Sequence, residues 1–396
     1  MTKPQSTLTL ELHRNLRRSL LQGNPWIYRE AFREVPSKAG VQLCRVLDQK
    51  KAFVGWGFFA PEGPLAVRML SLDKKPPAPD LYAQRLERAL RLRHSLIHQD
   101  GTNCFRLING EGDLMPGFIC DVYADTAVIQ FDGPGPFEFW DQEWLAQWLL
   151  NNLPSCQRVY LKPRHDARGR LNATPQSWGQ ALEEGEIAVR ENGRLFFVDI
   201  VQGQKTGFFL DQRDNREYVR SLAKAKRVLN LFSYSGGFSV AAGQGEALEV
   251  TSVDMASEAL RLAEKNWQAN DLNPTLHHAQ VGDAFEYIAN CKDSFDLIIC
   301  DPPSLAKSEA QKPQAIAKYT ELFVQAAKCL TPGGDLLLSS CSSHISFSDF
   351  EDIVAAALSK ARKTAQVLRV SGQGSDHPYP HALTQMRYLK FYHLVL

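Results

Sequence analysis

One stretch of the sequence decides its fold class: Arg227-Val228-Leu229-Asn230-Leu231-Phe232-Ser233-Tyr234-Ser235-Gly236-Gly237-Phe238. The first five residues form a short apolar run that predicts a buried strand, and the paired glycines predict a turn into a helix. Small residues at such a turn let the backbone approach a ligand closely. The stretch therefore predicts the first strand and the ligand-binding turn of an α/β sheet.

Downstream of this stretch, short apolar runs alternate with helical segments. The alternating segments are strands at 250–254, 295–300 and 335–340 and helices near 257–270, 315–330 and 347–363. This pattern predicts a mostly parallel, doubly wound, Rossmann-like sheet. Ligands bind such sheets at the carboxyl ends of the strands, so the residues that end each strand are the candidate site.

Two carboxylates follow predicted strands at this edge. Asp254 ends the second strand about twenty residues after the glycine turn, where a carboxylate can bind ribose hydroxyls. Asp283 follows a further strand, the third, which we expect between the helix near 257–270 and the strand at 295–300, and there it can accept from an adenine amino group. Adjacent Gly236 and Gly237 differ from the Gly-x-Gly-x-x-Gly of dehydrogenases, whose spaced glycines admit a pyrophosphate. S-adenosylmethionine (SAM), which has no phosphate, fits better than a nicotinamide cofactor, although a purely structural turn would give the same glycines.

The next two strand ends indicate what the site acts on. Asp301-Pro302-Pro303 closes the fourth strand, and two prolines there fix a rigid corner. One proline would suit a plain turn, whereas Asp-Pro-Pro in this topology is typical of a methyltransferase that positions a planar nucleobase. Cys341 ends the fifth strand, and its thiolate could add to C6 of a pyrimidine and activate C5. The alternative, a structural buried thiol, is our interpretation of Cys300.

The segment 204–213 precedes the first strand and combines charged residues with aromatic ones. We interpret it as a lid over the cofactor or the target base, with a surface turn as the alternative. Upstream, Asn192-Gly193 between two apolar runs predicts a β-hairpin.

The N-terminal part has a different character. Residues 7–70 contain short strand-like runs with Gly and Pro punctuation, which predicts a compact β-rich module. Residues 1–70 hold eleven Lys and Arg against five acids, a net charge of +6 on a chain whose total is +1. This excess favours a surface for phosphates, with a solvated basic face as the alternative. A Pro-rich linker follows at 73–79, then a helix predicted from 81 to 98 and a small α+β unit.

The composition of the chain argues against membrane, secreted and metal-binding proteins. The chain has 396 residues, 44% of them hydrophobic, and no run approaches the roughly eighteen apolar residues of a membrane span. Its first residues lack the pattern of a secretory signal, and its eight cysteines form no Cys-x-x-Cys pair, which predicts free thiols and no metal site. We therefore expect a cytoplasmic protein without a membrane partner.

Several motifs together resemble one family, the ribosomal RNA cytosine-5 methyltransferases of the RlmI type. They are Lys205-Thr206-Gly207 with Asp211-Gln212-Arg213, Asn230-x-Phe232-Ser233-Tyr234-x-Gly236-Gly237-Phe238, Val253-Asp254, Asp301-Pro302-Pro303, Ser340-Cys341-Ser342, and upstream Asn24-Pro25-Trp26-Ile27-Tyr28 and Arg106-Leu107-Ile108-Asn109-Gly110-Glu111. The resemblance covers nearly the whole chain, and the Lys-Thr-Gly with Asp-Gln-Arg block is quite specific.

The resemblance implies three domains: a PUA-like RNA-binding domain over 1–71, a central α+β domain over 72–185, and a class I methyltransferase domain with an N-terminal β-hairpin over 186–396. It implies SAM as the methyl donor, a cytosine of large-subunit ribosomal RNA (rRNA) as the target, and Cys341 as the covalent nucleophile. The chain could also form a homodimer. Asp301 is a candidate for the base that removes the C5 proton, with a water or another acid as alternatives.

The candidate site residues fall into two groups besides Cys341 and Asp301. Those expected at the cofactor are Lys205, Thr206, Phe209, Asp211, Arg213, Phe232, Ser233, Tyr234, Ser235, Gly236, Asp254, Met255, Asp283, Ala284 and Asp301. Those expected at the RNA are Arg17, Arg18, Trp26, Arg213, Pro302 and Pro303.

Two other functions are kept open. One is methylation of an exocyclic base nitrogen, where the Asp-Pro-Pro corner holds the amino group and no thiol is needed. The other is a non-catalytic RNA-binding or ribosome-assembly factor on a methyltransferase fold.

Overall fold

The computed structural model describes residues 7–36, 39–97, 101–163, 174–182 and 185–396. The chain divides into two compact units that interleave along the sequence. The first unit consists of Met1–Ile187, Val198–Phe208 and Ser375–Thr384, and the second of Ala188–Phe197, Phe209–Gly374 and Gln385–Leu396. The three-domain division expected from the sequence stays a proposal.

The N-terminal sheet of the first unit has five strands. They are β1 (Leu8–Glu11), β2 (Trp26–Tyr28), β3 (Gln42–Leu47), β4 (Phe53–Phe59) and β5 (Leu65–Ser71), with helix α1 (Arg17–Leu21) between β1 and β2. The strand order is β1-β3-β4-β5-β2, and only the β1–β3 pair is parallel. The β-rich module is confirmed, while α1 and β2 were not anticipated because both are too short to show a periodic pattern.

The second sheet of this unit also has five strands, and helices accompany it. The elements are α2 (Pro79–Leu96), β6 (Cys104–Asn109), β7 (Phe118–Tyr123), β8 (Thr126–Phe131), α3 (Pro134–Phe139), α4 (Gln142–Asn152), β9 (Arg158–Leu161) and β10 (Gln176–Gly179). The order is β10-β9-β8-β7-β6. Helix α2 was expected to begin after Asp80, but it begins at Pro79, whose fixed φ suits the first helical position. Its expected end at residue 98 lies outside the described residues.

The predicted hairpin is confirmed by β11 (Glu186–Glu191) and β12 (Arg194–Asp199). Asn192 and Gly193 join the two strands with φ values of 49° and 81°. Two consecutive positive φ values define the type I′ turn, which matches the twist of the flanking strands.

The second unit is built on a seven-stranded sheet. Its elements are α5 (Arg213–Leu222), β13 (Arg227–Leu231), α6 (Gly237–Gln244), β14 (Glu249–Asp254), α7 (Ser257–Gln268), β15 (His277–Val281), α8 (Ala284–Asn290), β16 (Phe295–Cys300), α9 (Lys312–Lys328), β17 (Leu330–Ser340), α10 (Phe347–Ala361), β18 (Gln366–Ser371) and β19 (Lys390–Val395). The order is β15-β14-β13-β16-β17-β19-β18. The first five strands run parallel, and β19 is antiparallel to both of its neighbours. The predicted Rossmann-like sheet is confirmed.

Alternating residues of the central strands fill two cores, one on each face of this sheet. On one face Leu229 and Ile298 pack with Phe323 of α9. On the other face Val228 and Leu297 pack in a separate cluster with helices α5 to α7. Burial on both faces explains the continuous apolar runs of these strands. No helix in the described part of the chain is long and apolar enough to cross a bilayer.

Candidate active site

The turn after β13 has an unusual backbone. Phe232 and Tyr234 adopt φ values of 60° and 48°, and Gly236 adopts 76°. A Cβ atom on Gly236 would lie 2.8 Å from the Cβ of Ala263 in α7, closer than such atoms approach in proteins. The turn is therefore pressed against α7, and glycine is required both for its conformation and for its packing.

Three polar side-chain atoms, one near the end of β13 and two in this turn, indicate whether a cofactor fits. The hydroxyls of Ser233 and Ser235 and the Oδ1 atom of Asn230 are buried and have no hydrogen-bond partner among the described residues. Leaving a buried polar atom unsatisfied costs about 1–3 kcal/mol. SAM carries an ammonium, a carboxylate and two ribose hydroxyls, so it offers the donors and acceptors that these atoms lack. The residues present fit that ligand.

Asp254 links the glycine turn to the end of β14. Its Oδ2 atom accepts from the backbone N–H of Tyr234 at 2.9 Å, and its Oδ1 atom accepts from that of Ala256 at 2.9 Å. Each carboxylate oxygen can accept a second hydrogen bond, so the site retains acceptors for hydroxyls. The following residue, Met255, is 72% exposed.

Asp283 has a structural task at the end of β15. Its Oδ1 atom accepts from the backbone N–H of Phe285 at 2.7 Å and caps helix α8, whose first residue, Ala284, is buried. The neighbouring Gly282 donates its N–H to the carbonyl of Asp254 at 2.9 Å. The ends of β14 and β15 are thus tied together, and the expected adenine contact of Asp283 stays a prediction.

Asp301 at the end of β16 is oriented by a residue that the sequence analysis did not assign. The side-chain amide of Gln212 donates to Oδ2 of Asp301 at 2.9 Å and to the Ser339 hydroxyl at 3.2 Å. Gln212 is 3% exposed, and its own oxygen accepts from Asn215 at 2.6 Å. The carboxylate is therefore held by an amide that is itself fixed. The available signal was the place of Gln212 inside the Asp-Gln-Arg block.

The structure brings Cys341 to the Asp-Pro-Pro corner, as expected for neighbouring strand ends. The Cys341 sulfur lies 4.0 Å from the carbonyl oxygen of Pro302, and the thiol is only partly buried. Pro302 is buried and Pro303 is exposed. Cys300, in contrast, is fully buried, and burial raises the pKa of its thiol far above the ordinary range. Burial fits the structural interpretation of Cys300, and the role of Cys341 as the nucleophile stays a prediction.

Ser342 fastens the two loops of this corner together. Its hydroxyl lies 3.1 Å from that of Ser304, accepts from the backbone N–H of Leu305 at 3.1 Å, and lies 3.0 Å from the hydroxyl of Tyr319. The Ser340 hydroxyl donates to the same Tyr319 hydroxyl at 3.0 Å, so the cluster fixes the backbone on both sides of Cys341. The sequence analysis did not single it out.

The segment 204–213 is divided between the two units, with Lys205 and Thr206 in the first. Thr206 is buried and bonds to the hydroxyl of Tyr123 at 2.8 Å, whereas Lys205 is exposed. The burial of Thr206 and Phe208 excludes a surface turn for that part of the segment. The lid interpretation stays a prediction.

The remainder of the segment belongs to the second unit. The ring of Phe209 meets that of Tyr234 edge to face at 5.3 Å. Asp211 is buried and accepts from the hydroxyl of Tyr388 at 2.6 Å. Arg213 is also buried, with its Nε atom 3.4 Å from a carboxylate oxygen of Asp214.

Two of the three N-terminal residues expected at RNA are engaged within the first unit. Arg17 pairs with Asp48 at 3.0 Å, and the indole N–H of Trp26 donates to Glu111 at 2.7 Å. Arg18 is exposed on α1. Their contact with RNA stays a prediction. In the described residues no group of three or more His, Cys, Asp or Glu side chains could hold a metal ion.

Comparison with known proteins shows which cofactor the chain depends on. Residues 155–362 match the family model described as S-adenosylmethionine-dependent methyltransferase, and residues 10–72 match the PUA-like domain. A candidate SAM-dependent methyltransferase from Streptococcus mutans is similar in fold, with a TM-score of 0.86 and 23% identity over 98% of this chain and 100% of that one. A candidate methyltransferase complexed with S-adenosylhomocysteine has a TM-score of 0.87 at 23% identity, over 98% of this chain and 100% of that one.

The chain is therefore a class I methyltransferase that depends on SAM. Two relatives place it more narrowly. The Ribosomal RNA large subunit methyltransferase of Deinococcus radiodurans is 35% identical over 98% of both chains. The Ribosomal RNA large subunit methyltransferase I of Shewanella denitrificans is 33% identical over 97% of this chain and 98% of its own. The chain belongs to this family of ribosomal RNA large subunit methyltransferases.

Proposed function

We propose that this protein methylates C5 of a cytosine in large-subunit rRNA through a covalent adduct of Cys341. The observation that carries the proposal is the place of the Cys341 sulfur, 4.0 Å from the Pro302 carbonyl at the Asp-Pro-Pro corner. The names of the relatives support rRNA as the substrate. A thiol that is partly exposed at a strand end can reach a base, whereas the buried Cys300 cannot.

In this mechanism the Cys341 thiolate adds to C6 of the cytosine and moves electron density onto C5. SAM, when bound, supplies the methyl group that C5 takes up. A base then removes the C5 proton, the C5–C6 double bond forms again, and the thiolate leaves. Asp301 is our candidate for this base, because the Gln212 amide fixes one of its oxygens at the corner.

The cofactor would be held at the ends of β13, β14 and β15. The Ser233 and Ser235 hydroxyls would bond the polar groups of SAM, since both lack a partner among the described residues. The Asp254 carboxylate would accept from the ribose, and exposed Met255 would cover the adenine ring. Asp283 would accept from the adenine amino group while it caps α8. Each assignment belongs to the proposal.

The decisive experiment uses large-subunit rRNA transcribed with tritium at C5 of cytosine. Methylation of C5 must release this tritium to water, whereas methylation of an exocyclic nitrogen leaves it in the RNA. We expect one tritium released for each methyl group transferred. Methyl transfer without release would exclude C5 as the acceptor and favour the exocyclic-nitrogen alternative. Absence of SAM binding by calorimetry would favour the non-catalytic factor.

Bisulfite sequencing of rRNA from a strain that lacks the gene would then locate the nucleotide as a single lost signal. The base must leave its stack to reach a pocket, so naked rRNA should be a better substrate than assembled subunits. Faster methylation of assembled subunits would contradict that expectation.

A further inference from the structure

Lys390, the first residue of β19, is completely buried beneath the turn that follows Cys341. Its side chain has 0% exposure, and its Nζ atom donates to the carbonyl oxygens of Ser342, Ile345 and Tyr388, each at 2.7 Å. A lysine ammonium has three N–H donors, so these three bonds satisfy it fully. Two of the three carbonyls belong to the turn directly after Cys341.

A cation in this position needs an explanation. Burial of a charge is costly unless it is paired, and among the described residues no carboxylate lies within ion-pair distance of Nζ. Burial lowers the pKa of Lys390 to about 8, and negative charge on Cys341 and Asp349 opposes that shift. An apolar side chain would fill the space without this cost.

Besides Cys341, titratable side chains on the elements that pack near Lys390 include those of Asp349, Tyr319 and Tyr388. Asp349, on α10, pairs with Lys312 at 2.9 Å and accepts from Ser346 at the start of its helix. Burial raises the pKa of the Tyr319 hydroxyl, on α9, to about 12, so it is neutral at physiological pH. The Tyr388 hydroxyl donates to Asp211. Of the two groups whose negative charge favours the ammonium, Cys341 is the one directly before the turn that Lys390 holds.

We propose that Lys390 is a positioning residue for Cys341: its buried ammonium holds the turn after the thiol and supplies the positive charge beside which the thiolate forms. A nearby cation favours the ionised form of a cysteine, and the interaction is strong where water is excluded. This inference rests on the proposed role of Cys341 as nucleophile.

The first test uses the unaltered, full-length protein. Iodoacetamide alkylates thiolates, and mass spectrometry of the Cys341 peptide gives its rate of alkylation as a function of pH. We expect a midpoint clearly below about 8.5, the ordinary value for a cysteine. A midpoint at or above that value would overturn the inference, whatever the variants do.

The second test compares Lys390→Met with Lys390→Arg, which keeps the charge. Lys390→Met should raise the midpoint by about one pH unit, so that alkylation at pH 7 slows about tenfold. It should also lower kcat for methyl transfer with little change in the KM for SAM, and Lys390→Arg should restore part of both. An unshifted midpoint in folded Lys390→Met, with folding checked by circular dichroism, would refute the inference.

A matched control is Lys226→Met. Lys226 is partly buried and bonds to Asp335, in the middle of β17 and six residues before Cys341, and its loss should leave the midpoint unchanged. Tritium release from C5 is scored separately. A low midpoint of Cys341 alkylation that depends on Lys390, found without tritium release, would contradict the proposed function. It would leave the effect of Lys390 on the thiol standing.

Discussion

The sulfur of Cys341 lies 4.0 Å from the carbonyl oxygen of Pro302. The two residues follow β17 and β16, which are parallel neighbours, so the sheet itself brings the thiol to the Asp-Pro-Pro corner. The Ser342 hydroxyl then joins the two loops through Leu305 and Tyr319. A planar base held at the corner would meet a thiol on a fixed backbone, which is what near-attack geometry requires.

Replacing Cys341 by Ala should abolish methyl transfer, because the adduct that activates C5 can no longer form. We expect a loss of at least about a thousandfold in kcat, with the Kd for SAM within about twofold of the parent value. Transfer of a tritiated methyl group and calorimetry measure the two quantities. Cys291→Ala, at a half-buried cysteine after α8, is the control and should remain active. Activity retained in Cys341→Ala would rule out C5 chemistry.

Replacing Gln212 by Leu should disorder the Asp301 carboxylate, since its amide donor is lost. We expect kcat to fall about 10–100-fold, or roughly 1.4–2.7 kcal/mol, with little effect on SAM affinity. The control is Gln244→Leu, which removes a half-buried amide bonded to Asn270 in the same unit. Equal losses of activity in both variants would show that Gln212 acts only through stability.

Gly236→Ala and Gly193→Ala separate packing from backbone conformation. Both glycines have positive φ values, 76° and 81°, but a Cβ on Gly193 meets nothing within 4 Å. We expect Gly193→Ala to cost about 1 kcal/mol and Gly236→Ala about 2 kcal/mol more, because Ala263 blocks the new methyl group. Thermal unfolding measures this difference, and calorimetry should show weaker SAM binding for Gly236→Ala alone. Similar melting temperatures would contradict the packing argument.

His277 should make the fold sensitive to acid. Burial between Trp267 and Ser252 lowers the pKa of its imidazole to about 4, from 6.5. Between pH 6.5 and 4 the imidazole binds a proton in the unfolded chain but not in the folded chain. The free energy of unfolding therefore falls by up to about 3 kcal/mol. Above pH 6.5 the effect vanishes, because the imidazole is neutral in both states.

Denaturant unfolding from pH 7 to pH 4 tests this expectation with two variants. His277→Gln should show a shallower loss of stability, whereas His278→Gln removes only the lesser cause of the lowered pKa and should follow the unaltered chain more closely. Identical pH dependence in all three proteins would remove His277 as the cause.

Much of the second unit could be predicted because buried parallel strands are continuous apolar runs, as in Phe295–Cys300. The pattern did not show β18, whose Val367 and Leu368 are exposed at the sheet edge and lack the alternation of a half-buried strand. Strand β19 was also missed, because the chain between α10 and its end shows no helix–strand alternation.

The part of the candidate site that lies at strand ends could be predicted, because the ends of parallel strands meet at one edge of the sheet. Asp301 and Cys341 were expected together because both end strands of one parallel sheet. Gln212 and Lys390 reach that edge from elsewhere in the chain, and a contact between residues far apart in sequence leaves no local pattern. In the sequence, Lys390 is a single polar residue at the start of an apolar strand. Its position under the turn after Cys341 becomes clear only from its three carbonyl partners in the structure.

The interleaving of the two units has a consequence for proteolysis and for truncation. The chain passes from one unit to the other five times, and Ser375–Thr384 belongs to the first unit although it lies between β18 and β19. No single cleavage can therefore release either unit whole, because no one cut separates all segments of the first unit from all segments of the second. Nicked protein should stay associated until it unfolds, and a shortened gene that ends before residue 375 would damage both units at once.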